Sequence, residues 1–346
     1  MSDVSTTPSQ TTSRESWYSF IRWFDSWAGL ENMKIEGPPK FDFIRSIPFI
    51  AVHLMCFGVY WVGWSWTAVT VAVAFYFIRM FAITGWYHRY FSHRTFKTSR
   101  GVQLAFAILG GMCVQRGPLW WAGHHRHHHI ASDTPDDVHS PRQGGFIWSH
   151  MGWFTSQTHY APRFKSIMDF YKFPELRFLD RFDVLIPILT GFAMFGFGSL
   201  LELCAPELGT NGPQMLIWGF FISTVALAHG TFTINSLSHV YGSQRYETGD
   251  DSRNNFILAL ITMGEGWHNN HHYYPASTRQ GFYWWEIDVT YYCLKVLEYL
   301  GLIWDVRGVP EHVREGKTKQ ESDRVTIKRP IDMSIPVPTQ AENIPA

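Results

Sequence analysis

The chain has 346 residues, of which 46% are hydrophobic, 17% aromatic and only 17% charged, a charged share well below that of an ordinary soluble domain. Lys plus Arg and Asp plus Glu both number 29, so the basic excess of a nucleic-acid binder is excluded, and the apolar content excludes global disorder. The length suits two soluble domains or one membrane domain with tails, and the placement of the apolar residues favours the second.

Residues 1–15 are polar and Ser/Thr-rich, without a signal-peptide pattern, and are expected to be a disordered N-terminus. Trp17, Phe20, Ile21, Phe24 and Ala28 recur at helical spacing, so residues 16–44 are expected to be an interfacial segment that opens with an amphipathic helix over 16–30. No charged side chain lies between Arg45 and Arg79, and the apolar run continues to Tyr87. That is enough for two crossings at about 20 residues each, turning near Gly63, Trp64, Ser65 and Trp66. A second uncharged pair follows. The predicted spans are 46–64, 66–87, 184–203 and 214–236. Gly101–Gln115 is uncharged but too short to cross, and reads as a buried or re-entrant helix. Residues 282–304 mix Trp, Tyr and Leu with Glu286, Asp288, Lys295 and Glu298, as a docked helix would. The membrane domain is expected to cover 45–310, with a charged, Pro-rich and disordered tail over 311–346.

The turn near Gly63 and the loop Cys204–Pro213 contain no Lys or Arg, whereas twelve lie between spans two and three, from Arg89 to Arg181. By the positive-inside rule that segment and both termini are cytoplasmic. The four cysteines, Cys56, Cys113, Cys204 and Cys293, are widely separated and indicate neither a zinc ribbon nor a disulfide framework.

The 17 histidines cluster. His88 and His93 follow span two, His124 to His129 form a dense run broken only by Arg126, and His268, His271 and His272 form a third group. Asn235 and His239 stand at the end of span four. All fall on the side assigned as cytoplasmic. Positions i, i+3 and i+4 share a helical face, which fits His125, His128 and His129, and equally His124, His127 and His128, so spacing leaves two registers open. It fits His268, His271 and His272 as well. His88 and His93 are five apart, which suits two metals, or one metal after a local break in the helix. Imidazole accepts Fe, Cu, Zn and Ni, so the ligand type does not name the metal. His53, His229 and His312 are isolated and read as structural, with His139, His150 and His159 intermediate.

The motifs H-R-Y-F-S-H at 88–93, W-A-G-H-H-R-H-H-H at 121–129, N-S-L-S-H at 235–239 and G-E-G-W-H-N-N-H-H at 264–272 resemble those of membrane fatty-acid desaturases of the stearoyl-CoA Δ9 type, over about residues 45–305. The resemblance implies an all-α membrane protein with four transmembrane helices and a cytoplasmic helical cap carrying a histidine-rich di-metal site. It implies nine ligands, His88, His93, His125, His128, His129, His239, His268, His271 and His272, with Asn235 holding a metal-bound water. The implied cofactor is a pair of non-haem irons and the co-substrate O₂. The implied substrate is a saturated 16- or 18-carbon acyl chain on CoA or a lipid, given a cis double bond at Δ9.

Carboxylates are expected to orient the ligand histidines, with Asp133, Asp136, Asp137 and Glu265 as candidates. Thr84, Met80 and Tyr76 stack at four-residue steps below His88, about 6, 12 and 18 Å away along a helix. In the resembled family such positions line the closed end of the acyl tunnel, so Met80 is expected to shorten it. The family's Arg-Asp pair before the second box is Gly123 and His124 here, and its later Arg-Lys pair is Gln157 and Thr158, so the CoA-binding side chains are not carried over. No H-P-G-G haem motif is present, which implies a separate electron donor: ferredoxin, rubredoxin, or cytochrome b5 with its reductase. A histidine-box hydroxylase and a membrane metal transporter or sensor are the competing functions. The transporter predicts polar ligands within the spans, where Arg79 is the one charge.

Overall fold

The computed structural model describes residues 17–30 and 39–316. The N-terminal residues expected to be disordered, residues 31–38 of the interfacial segment and residues 317–346 of the tail lie outside the described residues. The described chain is mostly helical, with one two-residue strand pair, Lys97–Thr98 against Ile303–Trp304.

Four helices are long and apolar enough to cross a membrane: Phe43–Val62, Trp66–Ser92, Leu185–Cys204 and Gly212–His239. All but Leu185–Cys204 start on a side-chain cap. The Asp42 carboxylate accepts the Arg45 N–H, the Ser65 hydroxyl oxygen accepts that of Ala68, and the Asn211 side chain accepts that of Gln214, satisfying donors that an α-helix leaves free. The two connectors lie against each other: Ser65 Oγ donates to Gln214 Oε1 at 2.6 Å, and Trp218 Nε1 donates to the Gly63 carbonyl at 2.9 Å. Spans one and two are thereby tied to span four at the end opposite the histidines.

The spans are not equivalent. Only 6% and 17% of spans one and three are buried, against 50% and 56% of spans two and four, so the last two form the inner pair. Spans two and four also run further than the expected 66–87 and 214–236, to Ser92 and His239, with 27 and 28 residues. A bilayer core needs about 20, so each inner helix projects about 10 Å beyond it. That projection carries His88, Asn235 and His239 out of the apolar layer on continuous helix.

Arg79, buried in span two, meets no carboxylate among the described residues. Its guanidinium donates to Thr224 Oγ1 at 2.7 Å, to the Met112 carbonyl at 3.1 Å and to Ser223 Oγ. The charge is satisfied by neutral oxygens and fastens span two to span four. The short apolar segment is a helix over Arg100–Gly111, with Phe106 stacked on Trp86 of span two at 3.9 Å. Gly110 is required there, since a Cβ would lie 2.0 Å from the Tyr87 ring.

Trp17, Phe20 and Phe24 are exposed together on the N-terminal segment. The expected docked helix is Val289–Tyr299. The first residues of the segment expected to be disordered from 311 are folded. Residues Glu311–Arg314 form a helical turn, Val313 is buried with Tyr246 and Phe282, and the Tyr246 and Tyr283 hydroxyls donate to the Arg314 carbonyl. The aromatic pocket that orders this turn is assembled from distant segments, so local composition does not reveal it.

Candidate metal centre

The extension of span two is wound as a π-helix over Ala82–Ser92. Its i→i+5 closure, seen in the His93 N–H bond to the His88 carbonyl at 3.2 Å, places residues five apart over one another. His88 and His93 therefore face the same point, and the local break suggested by their spacing is a change of helical pitch.

The second run sits on the helix Pro118–Ala131. Arg126 fixes its rotation by donating to the Phe91, Ser92 and Ser166 carbonyls and to both oxygens of Asp169. His125, His128 and His129 then turn inward. His124 instead donates to the Ala161 carbonyl at 3.1 Å, and His127 to the Asp136 carbonyl at 2.9 Å. The third run is the short helix His268–Tyr273.

The nine imidazoles fall into two groups, each able to hold a metal ion: His88, His93, His125, His129 and His271, and His128, His239, His268 and His272. In the first, the Nε2 atoms of His88 and His271, His93 and His125, and His129 and His271 are each 2.9 Å apart. In the second, those of His239 and His268 are 3.0 Å apart. With a metal–nitrogen bond of about 2.1 Å, ligands at right angles have donor atoms about 3.0 Å apart and tetrahedral ones about 3.4 Å. The spacing fits a metal with right-angled ligands, and His272 Nε2 is buried without a protein partner, as a ligand atom would be. Burial first, and neighbouring imidazoles second, hold His93, His125, His129, His268 and His271 well below the ordinary imidazole range, so their lone pairs are free at neutral pH.

Four carboxylates hold the far nitrogens. His239 Nδ1 is 2.8 Å from Asp133 Oδ2, His128 Nδ1 is 3.1 Å from Asp137, His272 Nδ1 is 2.8 Å from Asp250, and His88 Nδ1 contacts Glu265. Each carboxylate fixes the tautomer that points Nε2 inward. Burial alone would raise Asp133, Asp137 and Asp250, but their histidine partners hold all three well below the usual carboxylate range. Glu265 also accepts from Arg89, which pairs with Asp288 at 2.9 Å, and from Gln280 at 3.0 Å. Asp136, a candidate from sequence, is exposed and its side chain stands apart from the centre. Asp250 was not foreseen: it lies 22 residues before His272 on an irregular loop, with no periodicity to mark it.

A cavity of about 260 Å³ runs between spans one, three and four to Trp121, His125 and Asn235. A smaller one, about 40 Å³, shares those three residues and Thr231 with it, and continues to Met80, Thr84, His88, His128 and His268. Asn235 thus stands where the two meet. Tyr76 lines neither; its hydroxyl donates to the Ile261 carbonyl at 2.7 Å. It lies beside Met80 over Gly230, where a Cβ would sit 2.7 Å from the Tyr76 hydroxyl and 3.3 Å from Met80 Cε.

The fatty acid desaturase family model matches residues 39–300. The chain belongs to the fatty acid desaturase family. It is 37% identical over 280 residues to an acyl-CoA 5-desaturase of Anemone leveillei, covering 80% of this chain and 82% of that one. It is 34% identical over 274 residues to an sn-1 stearoyl-lipid 9-desaturase of Anabaena variabilis, covering 78% and 95%. It is 35% identical over 272 residues to Delta-9 acyl-lipid desaturase 1 of Arabidopsis thaliana, covering 78% and 84%. The matched region holds every histidine of both groups and all four membrane-length helices of this desaturase.

Proposed function

We propose that this desaturase inserts a cis double bond at Δ9 of a saturated 16- or 18-carbon acyl chain, using O₂ and two irons held by the nine histidines. The observation that carries the reading is that both imidazole groups reach the smaller cavity, through His88 and His125 of one and His128 and His268 of the other, where it adjoins the larger cavity at His125 and Asn235. The reaction consumes O₂, two electrons and two protons, and releases the alkene and two waters. Bound iron would supply the O₂-derived oxidant that an unactivated methylene requires.

The protein's own residues do the rest. The larger cavity holds the carboxyl half of the chain in an apolar sleeve, while Trp121 and His125 meet it at the centre. Met80 and Thr84 bound the smaller cavity and limit the methyl half. Asn235, at the junction of the two cavities, would hold a water on bound metal. The four carboxylates keep Nε2 of His88, His128, His239 and His272 aimed inward, where these atoms would hold the metal. The helix Pro118–Ala131 rises about 10 Å from Pro118 to His125, and an extended chain advances about 1.2 Å per bond. Eight to nine bonds fit in that length, which supports removal of hydrogen from carbons 9 and 10 when the ester lies near Pro118.

The electron donor is a separate protein such as ferredoxin, rubredoxin, or cytochrome b5 with its reductase. The histidine centre and both termini face the cytoplasm, a reading supported by the lack of Lys and Arg in the two short connectors. The deciding experiment is expression in a host lacking Δ9 activity, with double-bond positions mapped in the extracted acyl chains. New 16:1 or 18:1 at Δ9 is expected. A hydroxy acid in its place would make the protein a hydroxylase, and neither product would refute the proposal.

A further inference from the structure

Three arginines gather on one ring in the wall of the larger cavity. The guanidinium carbons of Arg22, Arg45 and Arg116 lie 4.9, 3.8 and 4.5 Å from the centre of the Tyr160 ring. All four residues line the cavity, where Asp183 is the one carboxylate among the lining residues. Asp183 takes the Nε–H of Arg116 at 2.7 Å with one oxygen and the Ser26 hydroxyl at 2.8 Å with the other. Both Nη atoms of Arg116 are buried and meet no acceptor among the described residues. A guanidinium offers five N–H donors in a planar fork matched to phosphate or carboxylate, and leaving four of them buried and unpaired is costly.

Depth and distance narrow the ligand. Arg45 is the third residue of span one, and Asp183 stands two residues before span three, so the cluster lies at the membrane–water interface, where lipid headgroups lie. Below it the cavity walls are span residues: Phe49 and Val52 of span one, Pro187 of span three, Ala228 and Phe232 of span four. Arg116 itself lies two residues before the helix that leads to His125. An ester held near Pro118 would leave the anion only a few bonds for reaching Arg116. A glycerophospholipid phosphate is about six bonds from its acyl carbonyl, or roughly 7 Å extended, whereas the phosphates of an acyl-CoA lie beyond the whole pantetheine arm.

We infer that Arg22, Arg45 and Arg116 bind the phosphate of a glycerophospholipid whose acyl chain occupies the cavity. The inference rests on the acyl-desaturase reading and adds to it the class of carrier. Tyr160 is the platform that keeps three like charges parallel, and the Nη atoms of Arg116 supply charge-assisted bonds to the phosphate oxygens.

The test is equilibrium binding to the purified full-length protein in detergent. The probes are dipalmitoyl phosphatidylglycerol, the uncharged dipalmitoyl galactosyl glycerol and palmitoyl-CoA. The phospholipid should bind about tenfold or more tighter than the galactolipid. Arg116→Gln should remove that preference and Arg116→Lys should keep part of it. Arg22→Gln should weaken phospholipid binding without changing galactolipid binding, the latter showing that the variant is folded. Equal binding of phospholipid and galactolipid, unchanged phospholipid binding in Arg22→Gln, or tighter arginine-dependent binding of palmitoyl-CoA would each overturn the inference. If the wild-type chain selects the phospholipid yet leaves acyl chains saturated in cells, the desaturase reading fails and the phosphate site stands.

Discussion

His239 Nδ1 is 2.8 Å from Asp133 Oδ2, and the same ring turns Nε2 to within 3.0 Å of His268. The Asp133 carboxylate also accepts the Asp251 N–H at 2.8 Å and the Ser140 hydroxyl at 2.5 Å, so its position is fixed from three sides. Asp133→Asn keeps the shape and removes the charge. Metal affinity should fall about 10- to 100-fold, measured as metal retained per chain during titration with a chelator. Asp250→Asn should behave alike through His272. Unchanged retention in both variants would show that the carboxylates do not act through the ligands.

Correctly loaded protein should contain about two irons per chain, with zinc able to replace them because imidazole takes either. His128→Ala and His268→Ala should abolish desaturation and lower iron content while the chain still inserts into membranes. Full activity in either would refute the ligand assignment.

The two registers of the second run separate by substitution. His124→Ala and His127→Ala should keep two irons and substantial activity, since these rings bond to the Ala161 and Asp136 carbonyls. His125→Ala and His129→Ala should lose both. The reverse pattern in metal analysis would mean that the helix Pro118–Ala131 is rotated in the working enzyme.

Met80 is fully buried and bounds the smaller cavity. Met80→Ala should lengthen the space for the methyl end and shift product from 16:1 toward 18:1, with the double bond still at Δ9. Gas chromatography of the acyl chains reads the ratio. An unchanged ratio at normal expression would remove Met80 as the stop.

Burial, with Arg163 and His127 beside it, holds His159 down to about 4, against about 6.5 for a free imidazole. Between those values the unfolded chain carries the proton and the folded chain does not. Stability from this group is therefore complete above pH 6.5 and is lost as pH falls toward 4, at up to about 1.4 kcal/mol per unit. Thermal unfolding in detergent from pH 7 to 4.5 should fall more steeply for the wild type than for His159→Gln. Parallel curves would exclude the effect.

The amino-acid sequence by itself determined the four membrane-length helices, because a helix that crosses lipid must remain apolar for about 20 residues and no tertiary contact relaxes that demand. It also marked the histidine runs, because i, i+3 and i+4 spacing is a local property of the helix. Where the inner spans end was not local: they continue past the apolar run because the histidine cap packs around their projecting turns. The tertiary structure alone decided how the histidines divide. His125 and His129 join one group and His128 the other; His271 joins the first group while His268 and His272 join the second. Adjacent helical residues point about 100° apart, so one triplet can serve one centre or straddle two, and only the opposing elements settle which. The same holds for His88 and His93, united by a π-helical turn, and for Asp250, brought to His272 by a loop whose path no periodicity encodes.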